Sequence, residues 1–540
     1  MKRLGLLFIW QWSILGAHID NQLDYYIAAA FQNAIVGEVP SGINPRDRRA
    51  IQHANLAKFD RAMEEARAHG TDIIVFNEGG VDPGLWGPDE DQVFACEQIP
   101  EPSPNFIPCS DEEGGDSFPI THNASCLARK HGIVTVLNIC DRQPCQKGQR
   151  PCTHHSDINC CPSSGYELFN TQLAFSETGQ LLAKYHKVHN YDTAPDSGET
   201  SNGLCCWPPR LDYAYFDTHF GVRFGMHICF DIMFRTPGLA MALNETLGIQ
   251  DFVYSTHWET TGPPMLPGTE IQQAWSRALG VNLIAANAGE GYAHAGSGIY
   301  SKGRTLAVRY KPEEAEDDYL LISKVPKLLK KPAVNVVRQN AVTSRSEQDP
   351  PSPLPAFKAF DVHTSSELKQ SVVVIASGTF VCNFTFVLSR EIDAGMLDRF
   401  LLMAVNGSWM GKDNLHSRSC VVVRCGHLSE ADCAARASCS QYQSASCAGG
   451  RSLYNNASDL VAYIRFERFS LHGNFETGDV VMPVVGTSMG ELVDSEDIAI
   501  DGGEMHVSLQ KPLLNAMLFA IPDYDHVSRP EERDNEMIAV

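Results

Sequence analysis

Apolar and polar positions along this chain switch repeatedly between a strand-like and a helix-like period. Residues 25–35 are apolar and β-compatible and predict a first strand. Over 46–69, Leu56, Phe59, Met63 and Ala66 fall at helical spacing, which predicts a helix ending at Gly70. Ile73-Ile74-Val75-Phe76 follows as a short continuous apolar run, the pattern of a strand buried on both faces, and closes on Asn77-Glu78-Gly79-Gly80. Residues 133–139 predict another buried strand. Residues 171–176 and 181–186 flank Glu177-Thr178-Gly179 and predict a hairpin whose second strand runs into Lys187. Residues 224–229 read as a buried strand ending on a thiol. A helix over 237–247 follows, with Pro237 near its start. Strands are predicted at 252–256, 282–287, 298–300, 305–310 and 319–325, and a helix at 269–279. Residues 96–125 read as a loop-rich excursion. Strands alternating with helices, with polar residues at strand ends, form an α/β layout.

The pattern changes after residue 327. A stretch ending in Asp349-Pro350-Pro351-Ser352-Pro353-Leu354-Pro355 predicts a linker over 331–357. Beyond it helical periodicity is scarce, and 372–376, 380–388, 421–423, 460–466 and 480–485 are strand-like. With Cys382, Cys420, Cys425, Cys433, Cys439 and Cys447, this predicts a mostly β, disulfide-stapled domain over 358–540.

Composition narrows the class. The 540 residues are 43% hydrophobic and carry a formal net charge of −22, which argues against nucleic acid or an anionic membrane as partner. Met1-Lys2-Arg3, the apolar run 4–15 and Gly16-Ala17 read as a signal peptide over 1–17, the alternative being a buried first strand. Sequons at Asn123, Asn244, Asn383, Asn406 and Asn456 agree with export. No other segment has 18 consecutive apolar residues, and 524–540 lacks the hydrophobic tail of a lipid-anchor signal, so a secreted protein without membrane anchor is expected. Cysteine usage fits that compartment. The cluster over 140–161 predicts a disulfide-pinned insertion. Zinc held by Cys145, Cys152, His154, His155, Cys160 and Cys161 is the alternative, although the spacing matches no standard zinc pattern. No metal and no cofactor are expected. The 17 cysteines leave one over if the others pair, and Cys229 is read as that one.

Three groups then stand at the ends of buried strands: Glu78, Lys187 and Cys229. Taken singly they read as a solvated loop acid, a surface lysine and a packed cysteine. As a set they are chemically coherent. A carboxylate can take the thiol proton, and a lysine can stabilise the oxyanion formed when the thiolate adds to an amide carbonyl, alongside a backbone N–H such as that of Phe230. The carboxylate can then protonate the leaving amine and activate water.

Glu78 after Ile-Ile-Val-Phe, Lys187 within Ala183-Lys184-Tyr185-His186-Lys187, and Cys229 within Ile228-Cys229-Phe230-Asp231-Ile232 resemble the three signatures of the nitrilase (carbon–nitrogen hydrolase) superfamily. The Tyr185-His186-Lys187 triplet, the Phe224-Gly225 block and Gly296-Ser297-Gly298-Ile299-Tyr300 are similar to its biotinidase and vanin (pantetheinase) branch. The resemblance covers about residues 20 to 325 and is mostly architectural beyond. It implies a four-layer α-β-β-α sandwich over 18–330 with a vanin-like C-terminal domain packed on it. It also implies a triad of Glu78 as proton acceptor, Lys187 as oxyanion stabiliser and Cys229 as nucleophile. The expected reaction is cofactor-free hydrolysis of a linear small-molecule amide through a thioester, by a chain that need not dimerise. Typical substrates of the branch are pantetheine and biotinyl amides such as biocytin. Two departures stand beside the triad: Asn77 where the family usually has Pro, and Val188-His189-Asn190-Tyr191 in place of an apolar pair. Trp258 and Tyr300 line the substrate pocket or simply pack. His227 points away from the site by strand alternation, and His186 is structural. The rivals are a nitrilase-family amidase for another small amide and a catalytically weak secreted binding homologue.

Overall fold

In the computed structural model the first half of the chain pairs into two sheets. The structure describes residues 24–34, 48–82, 96–328 and 356–521. Excepted within these ranges are 112–113, 146–160, 162–164, 192–212, 259, 261–265, 290–294 and 311–317. In the C-terminal part the exceptions are 364–368, 376–379, 389–396, 409–415, 427, 430, 434–465, 474, 476–478, 488–491, 494, 502–503 and 510–512. The signal peptide 1–17, the linker prolines, Asn456, Cys205, Cys206, Cys439 and Cys447 lie outside the described residues, as do Cys152, His154, His155 and Cys160 of the 140–161 cluster.

The strands in order are β1 (Tyr25–Gln32), β2 (Ile73–Phe76), β3 (Val134–Pro144), β4 (Tyr166–Phe175), β5 (Leu181–His186) and β6 (Tyr215–Asp217). They continue with β7 (Arg223–Ile228), β8 (Asp251–Ser255), β9 (Asn282–Ala286), β10 (Ser297–Ser301), β11 (Arg304–Arg309) and β12 (Tyr319–Pro326). One sheet runs β12-β1-β2-β3-β4-β5 and the other β11-β10-β9-β8-β7-β6. The centre of each is parallel, β1 with β2 with β3 and β7 with β8 with β9.

Alternation along β2 shows how the layers stack. Ile73 and Val75 join the core shared with β7, whereas Ile74 and Phe76 pack with Leu56, Phe59, Met63 and Ala66 of helix α1 (Arg48–Ala68). On the far side, Trp275 of helix α3 (Gly268–Leu279) packs edge-on against Phe252 of β8. The result is a four-layer α-β-β-α sandwich. Gly179 turns the β4–β5 hairpin at φ +85, and a Cβ on Gly225 would meet the Phe252 ring at 2.6 Å.

Several expectations are corrected. The excursion over 96–125 contains helix α2 (Pro119–His131), with Pro119 at its start, basic residues in its last turn and Gly132 in the left-handed conformation after it. Those end signals were present in the sequence, but the cysteines around them drew the reading towards loop. Buried Glu97 serves as its N-terminal cap from a distance: its carboxylate accepts the Ile120 and Thr121 backbone N–H groups at 2.6 and 2.9 Å. Strand β3 runs on through Cys140, which pairs with Cys96, so the insertion begins only at Cys145, which pairs with Cys161. Those two sulfurs are thereby not zinc ligands. The helix expected over 237–247 is shorter, a turn at Arg235–Leu239 followed by Ala240–Leu243.

The C-terminal part is all β. Its strands are β13 (Ala356–His363), β14 (Lys369–Ile375), β15 (Val381–Leu388), β16 (Leu397–Ser408) and β17 (His416–Gly426). After them come β18 (Phe466–Gly473), β19 (Val480–Thr487), β20 (Ile498–Asp501), β21 (Glu504–Ser508) and β22 (Leu513–Ile521). They form sheets β13-β16-β17-β22-β19 and β14-β15-β18-β21-β20, joined by the Cys382–Cys420 disulfide. Most of the strand read at 460–466 lies outside the described residues, β18 being described from Phe466, and β13, β16, β20, β21 and β22 were not anticipated. For β16 and β22 the reason is burial on both faces. Leu402 and Leu518 join the core between the two sheets, while Leu401, Met403, Met517 and Phe519 join the core shared with α3. Their continuous apolar runs therefore lack alternation.

The contact between the two parts contains a buried acid. Glu270 of α3 is 1% exposed; burial pushes its carboxyl up to about 8, with the Asn515 amide of β22 pulling the other way. Nearby, the Gln273 side-chain amide donates to the Val493 carbonyl at 3.1 Å. A carboxyl raised from its ordinary 4.5 takes up a proton on folding at intermediate pH. Its contribution is thus complete below about pH 4.5 and is lost as pH rises towards 8. Glu270→Gln is expected to remove a slope of up to about 1.4 kcal/mol per pH unit over that window. Melting midpoints of both chains at pH 5 and pH 8 measure it; parallel curves would refute the buried neutral acid.

Candidate active site

The ends of β2, β5, β7 and β8 converge at one edge of the sandwich. Ser255, the last residue of β8, ties the sheets together there. Its hydroxyl donates to the Phe76 carbonyl at 2.7 Å and accepts from the Gln172 amide of β4 at 2.8 Å. Immediately beyond, Glu78 N–H donates to the Thr256 carbonyl at 3.3 Å. Glu78 is fully buried, and its carboxylate is held by several donors. Oε1 accepts from Lys187 Nζ at 2.7 Å and from Asn170 Nδ2 at 2.7 Å, and Oε2 accepts the His257 backbone N–H at 2.9 Å. Asn170 is itself placed by Asn138, whose amide donates to Asn170 Oδ1 at 2.6 Å while its Oδ1 accepts Gly79 N–H at 2.8 Å.

Lys187 is 2% exposed. Burial acts against its charge, but Glu78, Cys229 and Asp231 outweigh it and hold the ammonium well above the ordinary lysine range. Cys229 follows β7 directly, is buried, and is the free cysteine among the described residues. Burial pushes its thiol up to about 12 and the Glu78 carboxylate adds to that; Lys187, the Thr256 hydroxyl and the His257 backbone N–H pull it down only in part. The resting site therefore holds a protonated thiol beside a buried ion pair. Ionising that thiol needs a base.

The sulfur sits on a strained elbow. Cys229 has φ +45, which costs a non-glycine residue about 1–2 kcal/mol. Asp231 braces it, accepting Ile228 N–H at 2.9 Å, Tyr185 O–H at 2.8 Å and His189 N–H at 2.9 Å. One carboxylate thus joins the nucleophile turn to the chain just after Lys187. Burial pushes that carboxyl up to about 7, against the pull of Lys187 and the three donors.

The departures near the triad have local explanations. Asn77 Nδ2 donates to the Glu78 carbonyl at 3.1 Å. The His189 ring stacks on Phe234 at 3.7 Å, donates from Nε2 to the Thr236 carbonyl at 3.0 Å, and is pushed down to about 3 by burial, so it stays neutral. Tyr191 meets Phe230 edge-on.

The sequence-predicted triad residues thus come together. Trp258 directly follows His257 and is 1% exposed, with its indole N–H given to the Leu266 carbonyl at 2.8 Å. The Tyr300 hydroxyl donates to Thr269 and Gln272 oxygens of α3, both at 3.2 Å, and is not bonded to any of the three triad side chains. His186 bonds Asp141 at 2.7 Å and stacks on Phe169. Of the sequons, Asn244 is exposed, and its side-chain oxygen accepts the Thr246 hydroxyl at 2.7 Å. Asn383 lies on β15, and Asn406 on β16 opposite Arg418. Asn123 sits within α2, where Ser125 of its sequon gives its hydroxyl to the Gly179 carbonyl. Sequence reading missed Asn138, Asn170, Tyr185 and Asp231 as parts of the site. Polar residues interrupting buried strands at 138 and 170 were the available signal. Among the described residues no cluster of three metal-ligating side chains occurs, and no helix is long and apolar enough to cross a membrane.

A four-layer sandwich with a buried carboxylate, lysine and free thiol at one edge defines a class of amide hydrolases, and comparison with known proteins agrees. Residues 27–276 match the carbon–nitrogen hydrolase family and residues 352–522 the vanin C-terminal domain. Pantetheinase of Sus scrofa is 29% identical over 502 residues, covering 90% of this chain and 85% of that protein. Pantetheinase of Mus musculus is 26% identical over 88% of this chain and 85% of its own length. Biotinidase of Takifugu rubripes is 26% identical over 76% of this chain and 80% of its own. The chain thus carries a carbon–nitrogen hydrolase domain followed by a vanin C-terminal domain, and it is a hydrolase acting on amides.

Proposed function

We propose that this chain is an extracellular amidohydrolase that cleaves pantetheine to pantothenate and cysteamine, with Cys229 as nucleophile, Glu78 as proton acceptor and Lys187 as oxyanion stabiliser. One observation carries the assignment of roles: a buried thiol pushed up to about 12 stands beside a buried carboxylate and an ammonium that both act on it. Glu78 takes the thiol proton as Cys229 Sγ bonds to the amide carbon. The carbonyl electron pair moves onto oxygen, where the Lys187 ammonium and the Phe230 backbone N–H receive it. On collapse the C–N bond breaks, and the proton on Glu78 goes to the leaving amine. Water then gives a proton to Glu78 and attacks the thioester, and the thiolate leaves and is reprotonated. Lys187 remains an ammonium throughout, in keeping with its raised pKa.

The relatives named pantetheinase favour pantetheine, and the one named biotinidase keeps biotinyl amides as second reading. Disulfides Cys96–Cys140, Cys109–Cys126, Cys145–Cys161, Cys382–Cys420 and Cys425–Cys433 support an oxidising compartment, and with it export. Turnover of pantetheine and biocytin by the purified chain, with Cys229→Ala as blank, decides the substrate. Pantetheine is expected to be preferred by at least about tenfold in kcat/KM, the discrimination that ~1.4 kcal/mol supplies. Preference for biocytin would make the second reading the right one, and silence on both would exclude both.

A further inference from the structure

We propose that Tyr254 is a positioning residue that aims the Phe230 backbone N–H at the developing oxyanion by holding the Cys229 carbonyl from behind the sheet. This inference rests on the roles assigned above to Cys229 and the Phe230 N–H.

Cys229 adopts φ +45, and among the described residues Lys302 is the other non-glycine residue at positive φ. Such a conformation persists only where the surroundings over-determine it. Asp231 fixes the chain before the elbow through Ile228 N–H, and Phe234 N–H returns to the Asp231 carbonyl at 3.1 Å. The peptide group between Cys229 and Phe230 is held from a separate element. Its carbonyl accepts the Tyr254 hydroxyl at 2.8 Å, across a sequence separation of 25.

The consequence follows from peptide planarity. The Cys229 carbonyl and the Phe230 N–H belong to one trans peptide unit, so they point in opposite directions. A donor that captures the carbonyl on one side therefore turns the N–H to the other. Tyr254 lies on β8 between Val253 and Ser255, and Ser255 faces the sandwich centre, where it bonds Phe76 and Gln172. By alternation Tyr254 projects to the opposite face, towards α3. From that face its hydroxyl reaches the Cys229 carbonyl.

The ring that carries this hydroxyl is itself held. Tyr254 is in register with His227 of β7, and their rings stack at 4.8 Å with 29° between planes. His227 lies in turn against Trp275 of α3 at 4.8 Å. His227 is fully buried and neither of its ring nitrogens has a partner, so its contribution is shape. Burial pushes it down to about 3, which keeps it neutral. The stack Trp275–His227–Tyr254 accounts for a histidine two residues before the nucleophile that the chemistry does not use.

Three full-length chains, wild type, Tyr254→Phe and Tyr254→Leu, test the inference. Each is assayed for pantetheine and biocytin hydrolysis, for alkylation of Cys229 by iodoacetamide, and for melting midpoint. Alkylation is a displacement that develops no oxyanion, whereas hydrolysis does. Tyr254→Phe keeps the stack and loses the hydroxyl. It is expected to lower kcat by ~10- to ~100-fold, short of outright removal of an oxyanion donor, with KM and alkylation rate within about twofold of wild type. Tyr254→Leu loses stack and hydroxyl, and its kcat is expected to fall at least as far, with a lower melting midpoint. Wild-type kcat in Tyr254→Phe overturns the inference alone, as does an equal fall in hydrolysis and alkylation, which would place the hydroxyl's effect on the sulfur. A wild-type chain that hydrolyses neither amide overturns both this inference and the reading beneath it.

Discussion

Cys229→Ala is expected to reduce amide hydrolysis to background, a loss on the order of 10⁶-fold in kcat, the scale seen when a hydrolase loses its nucleophile. The fold should survive. The substitution removes one buried sulfur and leaves the hydrogen bonds of the elbow in place, because Ile228 N–H, the Cys229 carbonyl and Asp231 use backbone or other side chains. A melting midpoint within a few degrees of wild type, together with loss of iodoacetamide labelling, would complete the result. Turnover retained by the purified variant would remove Cys229 from the mechanism and overturn the assignment of the nucleophile.

Lys187→Ala is expected to lower kcat by at least ~100-fold, the effect of losing an oxyanion donor. Two further consequences follow from burial. The Glu78 carboxylate keeps Asn170 and the His257 N–H but loses its counter-charge, and breaking a buried pair from one side typically costs about 3–5 kcal/mol. Lys187→Gln, which retains a donor and most of the volume, separates that stability loss from the catalytic one. The thiol also changes. Lys187 pulls the Cys229 pKa down, so without it the thiol rises further and labelling by iodoacetamide should need a higher pH than in wild type. A variant with altered KM but unchanged kcat and labelling profile would show that Lys187 binds substrate and does not stabilise charge.

Much of the sandwich was legible because its strands are short and bounded by turn residues. Ile73–Phe76 and Leu181–His186 were read to the residue, and helix α3 to within one. Helix α2 escaped because Asn123, Ser125 and Cys126 sit inside it, polar or cysteine positions that read as loop until Ser125 is seen bridging to Gly179. Strands β16 and β22 escaped because a sheet buried on both faces erases the period that betrays a strand. At the site, the proposed triad was visible as three reactive residues closing apolar runs. Asn170 and Asp231 were not, since a carboxylate's partners lie 92 and 46 positions away from Glu78 and Tyr185 respectively.

By itself, the sequence determined the local pieces: strand and helix periods, the odd cysteine, and which reactive side chains terminate buried runs. Those are properties of neighbouring residues, and periodicity and turn chemistry report them directly. Tertiary structure alone decided that Glu78 and Lys187 meet at 2.7 Å, that burial of Cys229 leaves it a thiol in need of a base, and that Asp231 and Tyr254 hold the elbow. Charge, burial and hydrogen-bond geometry at a point depend on every segment that folds around it. No stretch of chain carries them alone.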